Sequence, residues 1–154
     1  MEGELTLWLK QKATNGLIYR GPRQSIPGFN QNLSQGNNIG FRSDGLLTDE
    51  KSLLALEIEA AQKHPDTNVG KYWLLQKTHP YKKIVLVHVY TPRFNSYGWR
   101  KELGNFYAEM MGKMPQFSYH QLDFSYPADP TYQHVAKTTK QTLQGHIEQL
   151  FPKK

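Results

Sequence analysis

The chain has 154 residues, near the usual size of one domain, and a fold of that length buries roughly two thirds of its unfolded surface without a staple. It contains no cysteine, which excludes disulfides, thiolate metal ligation and cysteine nucleophiles and agrees with an intracellular, cytoplasmic protein. Nineteen Lys and Arg against 13 Asp and Glu give a net charge of +6, while no apolar stretch approaches about 18 residues and the Met1-Glu2-Gly3-Glu4 start lacks signal-peptide character, so neither export nor membrane spanning is expected.

Near the start, Leu5, Leu7, Trp8 and Leu9 mark an element over residues 5–12, but their spacing does not decide between helix and strand. Residues 21–40 are rich in Gly, Asn, Gln and Pro and read as a long polar loop. Its Arg23, Gln31 and Asn32 have side chains suited to a DNA groove, although an ordinary surface loop is the simpler expectation. Next comes a hairpin-capable segment, with Asp44-Gly45 at its near end and Asp49-Glu50-Lys51 as the turn. The apolar run Leu53-Leu54-Ala55-Leu56-Glu57-Ile58-Glu59-Ala60-Ala61 reads as a buried strand. Residues 66–75 open with good N-cap residues and stop before His79-Pro80, so they predict a short helix with Asn68 and Lys71 on one face.

Residues 83–90, Lys-Ile-Val-Leu-Val-His-Val-Tyr, are almost entirely apolar and β-branched, as in a central strand covered on both sides. His88 reads there as a satisfied core histidine rather than a ligand, and the six histidines show no zinc-type spacing. Beyond this strand Arg93, Phe94, Tyr97, Trp99, Arg100 and Lys101 interleave aromatics with cations, where rings could stack on bases and cations hold phosphates. A helix over 97–111 follows, with Leu103, Phe106, Tyr107 and Met110 expected to dock it and Trp99 free for either role. A strand over 116–124, a Pro-rich connection and a helix over 131–150 complete the chain, the last with Val135, Thr139, Leu143 and Ile147 on its buried face.

Two glutamates ending a buried strand need something to offset them. Residues two apart on a strand share a face, so Glu57 and Glu59 sit roughly 6 to 7 Å apart and repel, and a divalent cation is a common remedy. With the turn near Asp49 and Glu50, paired positions sum to about 99 to 101, which sets Asp44 opposite Ala55, Leu56 or Glu57. The odd sums place Asp44 on the glutamate face. Asp44, Glu57, the main-chain carbonyl of Ile58 and water then form an oxygen donor set suited to Mg²⁺ or Mn²⁺. Residues 44–66 carry six acids and two bases and residues 71–113 eight bases and two acids, so a cation-seeking pocket adjoins a phosphate-seeking surface.

Asp44, twelve residues, then Glu57-Ile58-Glu59 resembles the core motif of the PD-(D/E)XK nuclease superfamily over roughly residues 38–90. Ser43 stands where proline is usual and Glu59 where lysine is usual, the latter like a variant found in some restriction enzymes. The resemblance implies a restriction-endonuclease-like α/β fold, a central mixed sheet flanked by helices, in one domain over residues 1–154. It further implies a Mg²⁺- or Mn²⁺-dependent nuclease hydrolysing DNA, with an endonuclease favoured. Catalytic roles then fall to Asp44, Glu57 and Glu59, with Lys71 as the active-site lysine moved to the helix, as in some members. DNA contacts are expected from Arg23, Asn68, Arg93, Trp99, Arg100 and Lys101. The alternative is a non-catalytic nucleic-acid-binding or interaction domain that keeps the fold. A domain of this size without a separate DNA-reading module leaves room for a homodimer in which two sites meet two strands.

Overall fold

The computed structural model describes residues 1–26, 41–61, 64–78, 82–95, 98–125 and 131–153. In chain order the elements are α1 (Glu2–Gln11), β1 (Ile18–Arg20), β2 (Gly45–Thr48), β3 (Ser52–Glu59), α2 (Pro65–Thr78), β4 (Lys83–Tyr90), α3 (Arg100–Gly112), β5 (Phe117–Asp123) and α4 (Tyr132–Leu150). The five strands form one mixed sheet in the order β1-β2-β3-β4-β5. The first three are antiparallel, and β3, β4 and β5 run parallel. Both parallel crossovers contain a helix, as such connections require.

Alternate residues of β3 and β4 point to opposite faces and build two cores. On one face Leu54, Leu56, Ile58, Val85, Val87 and Val89 pack against Leu5 and Leu9 of α1 and Val135, Leu143 and Leu150 of α4. On the other Leu53, Ala55, Ile84 and Leu86 pack against Val69, Tyr72 and Leu75 of α2 and Ala108 and Met111 of α3. All eight residues of β3 are buried. The fold is thus α/β, a mixed sheet flanked by helices, and among the described residues no helix is long and apolar enough to cross a membrane.

Local chemistry accounts for the ends of these elements. The open period at residues 5–12 resolves as helix, with Leu5 and Leu9 one turn apart against the sheet and acids in the first turn, Lys10 in the last, complementing the helix dipole. In the β2-β3 turn Asp49 Oδ1 accepts from the Lys51 N–H at 2.8 Å and the Ser52 N–H at 2.7 Å, an Asx-type turn. Thr131 caps α4 by accepting from the His134 N–H at 3.2 Å.

The structure departs from the sequence expectation at two elements. A short strand the sequence reading did not include, β1, precedes the expected loop, whose described residues 21–26 are turn and bend with one isolated bridge from Ser25 to Arg42. Residues 27–40, including Gln31 and Asn32, lie outside the described residues, as does Tyr97. The docking face of α3 is Gly104, Ala108 and Met111, not a stripe through Phe106, which is 53 % exposed. Close approach explains the change, because a Cβ on Gly104 would lie 3.4 Å from the Asp66 Cα at the start of α2. Only small side chains fit that crossing. Tyr107 keeps a docking role, but against α2, where its ring lies 5.8 Å from Trp73 and covers Gly70.

Candidate active site

The hairpin places the first carboxylate. Gly45 pairs with Leu56 and Thr48 with Leu53, and continuing that register by one residue sets Asp44 opposite Glu57. Ladder pairing stops at Gly45, and the Asp44 side chain takes over, its Oδ2 accepting from the Ile58 N–H at 2.6 Å. A residue's N–H and C=O point to the same edge of an extended strand, so the Ile58 carbonyl also faces Asp44. The Ser43 hydroxyl lies 3.0 Å from the carbonyls of both Gly45 and Leu56, sharing its proton between them, and closes this end of the hairpin.

Glu57 and Glu59 point toward α2 and are 2 % and 0 % exposed, more deeply buried than the half-solvated strand face their sequence pattern suggests. The helix supplies their partners. Lys71 Nζ lies 2.8 Å from Glu57 Oε1, and the Tyr72 hydroxyl donates to the same oxygen at 2.5 Å. Asn68 Nδ2 donates to Glu59 Oε1 at 2.6 Å, and His88 Nε2 lies 2.8 Å from that oxygen. Asn68 also accepts from Lys71 Nζ at 3.0 Å, which joins the two glutamates into one network. Lys71 completes its shell by donating to the Arg42 carbonyl at 2.5 Å. Behind Glu59, His88 Nδ1 meets the Tyr119 hydroxyl at 3.0 Å. Glu59 Oε2 has no hydrogen-bond partner among the described residues.

The electrostatics follow from burial. Loss of water, then the charge of Glu57, push the Asp44 carboxyl up to about 7, against the opposing hydrogen bond from the Ile58 N–H. Glu57 is also raised by burial, with the Lys71 ammonium and the Lys71, Tyr72 and Ser43 hydrogen bonds holding it back. Burial and the charge of Glu57 push the Tyr72 phenol well above its usual range, so it remains a donor. One ammonium therefore leaves Asp44 and Glu57 short of positive charge.

The donor set fits a hard divalent cation in kind: two carboxylates and a strand-edge carbonyl, all oxygen. Among the described residues no group of three or more His, Asp or Glu converges on one point, so such an ion would draw its remaining ligands from water or substrate. Glu59 is drawn away from Asp44 toward His88 and Asn68.

The residues expected to contact DNA divide. Trp99, at the start of α3, is 81 % exposed, and Arg93 is exposed with its guanidinium 5.7 Å from the Tyr132 ring. Arg100 pairs with Asp66 at 2.9 Å. Lys101 is held by Asp123 and lies over the Tyr90 and Phe94 rings. Asn68 is turned inward, and Arg23 lines an open cleft of about 360 Å³ with Leu7, Lys10 and Tyr19 on the α1 side. Sequence reading missed Tyr72 and Tyr119 and placed His88 in the core without its glutamate partner. A polar residue inside an apolar strand was the available signal for His88. Nothing local marked the tyrosines.

The chain matches no protein-family model, no curated protein and no solved structure.

Proposed function

We propose that the chain is a Mg²⁺- or Mn²⁺-dependent nuclease that hydrolyses DNA phosphodiester bonds, an endonuclease by preference, built on the PD-(D/E)XK plan. The observation that carries this reading is Asp44 set opposite Glu57 by the hairpin register, with Lys71 Nζ 2.8 Å from Glu57. Asp44, Glu57 and the Ile58 carbonyl would hold the ion. When bound, the ion lowers the pKa of a coordinated water and offsets charge developing on the scissile phosphate. Tyr72 orients Glu57, and Lys71 keeps a fixed positive charge beside the carboxylates where a phosphate oxygen would gain charge. Trp99 and Arg93 offer a stacking ring and a phosphate contact on the surface.

A non-catalytic nucleic-acid-binding domain is the second reading, favoured by the donors that both glutamates already have within the protein. Cleavage of supercoiled and linear DNA in Mg²⁺, Mn²⁺ or EDTA separates the two. For the nuclease, cutting requires the metal, and Asp44→Asn lowers it on the order of 10²-fold or more while DNA is still bound. Binding without cutting in any metal selects the second reading. Neither binding nor cutting removes both.

A further inference from the structure

Lysine on a helix must be immobilised to act as a fixed charge, since its long, flexible stem otherwise samples many rotamers. Lys71 has three N–H donors and three acceptors: Glu57 Oε1 at 2.8 Å, Asn68 Oδ1 at 3.0 Å and the Arg42 carbonyl at 2.5 Å. Of these, Asn68 alone presents a side-chain amide that could turn the wrong way. An amide rotated by half a turn would point its NH₂ at the ammonium and lose the contact. Glu59 prevents this. A carboxylate only accepts, so the Asn68 NH₂ faces Glu59 and its oxygen faces Lys71. Glu59 is itself held from behind. Its Oε1 lies 2.8 Å from His88 Nε2 while His88 Nδ1 lies 3.0 Å from the Tyr119 hydroxyl, an arrangement matched by the tautomer that donates from Nε2 to Glu59 and accepts at Nδ1 from Tyr119.

We propose that Glu59 is a positioning residue for Lys71, acting through Asn68 and braced by His88 and Tyr119, rather than a ligand of the cation. The residue in the motif's usual lysine place thus holds the lysine that α2 contributes. This rests on the reading of Lys71 as the cation of the site.

The two roles predict opposite mutational patterns. For positioning, Glu59 needs an acceptor oxygen toward Asn68 and His88; both contacts fall on Oε1, so Gln keeps its oxygen there with its NH₂ in the Oε2 place, and Glu59→Gln is milder than Asn68→Ala. For a metal ligand the order is reversed. The direct readout is the Lys71 ammonium resonance in the ¹⁵N-labelled, metal-free full chain, identified by its absence in Lys71→Arg. It is expected to persist in Glu59→Gln and Asp44→Asn and to vanish through faster exchange in Asn68→Ala and Glu59→Leu, with thermal melts confirming that each variant is folded. Should Glu59→Leu fail to fold, Asn68→Ala decides. An undisturbed resonance in Asn68→Ala overturns the proposal. Calorimetry with Mn²⁺ adds a second arm, in which Glu59→Gln and Asn68→Ala stay within about twofold of the native affinity while Asp44→Asn loses about tenfold or more. A loss in Glu59→Gln as deep as that in Asp44→Asn also overturns it. A native chain that neither binds Mn²⁺ nor cuts DNA would remove the nuclease reading, and the ammonium resonance would still decide how Lys71 is held.

Discussion

Asp44 meets two opposing demands. The Ile58 N–H favours its anion, yet burial and the neighbouring Glu57 prevail and move its carboxyl to about 7. An unfolded aspartate titrates near 3.9, so between about pH 4 and about pH 7 the folded chain retains a proton that the unfolded chain has released. Stability contributed by this group is therefore present at low pH and lost as pH rises through that window. Glu57, raised by burial, acts in the same direction. His120 and His146, held low first by burial, act oppositely below about pH 6.5, so comparison with Asp44→Asn isolates the carboxylate. Thermal melts in EDTA are expected to show the native chain losing stability from about pH 4 to about pH 7 and Asp44→Asn losing less. Millimolar Mg²⁺ is expected to raise the native Tm at the upper end of the window, because an ion that binds only the folded anionic pair shifts the equilibrium toward it. Equal slopes in the two proteins would place the pH response elsewhere.

Two elements make the site, and they contribute differently. The β2-β3 hairpin sets Asp44 against Glu57 through a turn whose Asx geometry is local, whereas α2 brings Asn68, Lys71 and Tyr72 across the glutamate face by packing. That packing depends on how α3 covers α2. Gly104 lets the two helices approach at Asp66, and Phe106 stands outside the contact. Gly104→Leu is accordingly expected to cost about 1–3 kcal/mol in urea denaturation through overpacking against backbone. Phe106→Ala should remain within about 0.5 kcal/mol, as for exposed positions generally. The reverse order would return Phe106 to the buried stripe. Its misplacement from sequence has a simple cause: a large aromatic reads as core, while a glycine reads as nothing, although here the glycine lies against the start of α2.

Across the whole molecule the charge pattern takes a definite form. The acidic segment turns three carboxylates, Glu57, Glu59 and Asp66, into the interior, while several cations of the following segment are engaged, with Lys71, Arg100 and Lys101 each paired to an acid. Net charge therefore overstates what is available to a polyanion. Trp99 and Arg93 are the more accessible members of the aromatic and basic run. If DNA is the partner, Trp99→Ala should weaken binding by about 1–3 kcal/mol without moving Tm. Arg93→Ala should reduce the slope of log affinity against log salt by about 1. Fluorescence anisotropy over a salt series measures both, and unchanged affinity in Trp99→Ala would assign that ring elsewhere.

Sequence alone determined the features that depend on near neighbours: the buried strands β3 and β4 from their apolar runs, the presence of helices at α2 and α4, and a hairpin that sets Asp44 opposite Ala55, Leu56 or Glu57, among which the ladder selects Glu57. Each follows from periodicity or turn chemistry within about 15 residues. Tertiary structure decided what crosses between elements. It settled the period of α1, formed the three-residue β1 by pairing with β2, and turned α3 onto Gly104, Ala108 and Met111. It also joined Glu57 to Tyr72 and Glu59 to His88, 15 and 29 residues apart. A local pattern states which side chains share a face, but not which helix will cover that face. The offset for the buried glutamates was therefore legible as a need, and the resemblance nominated Lys71, but its contact with Glu57 and the donors around it, Tyr72, Asn68 and His88, became visible only once α2 and β4 lay against β3.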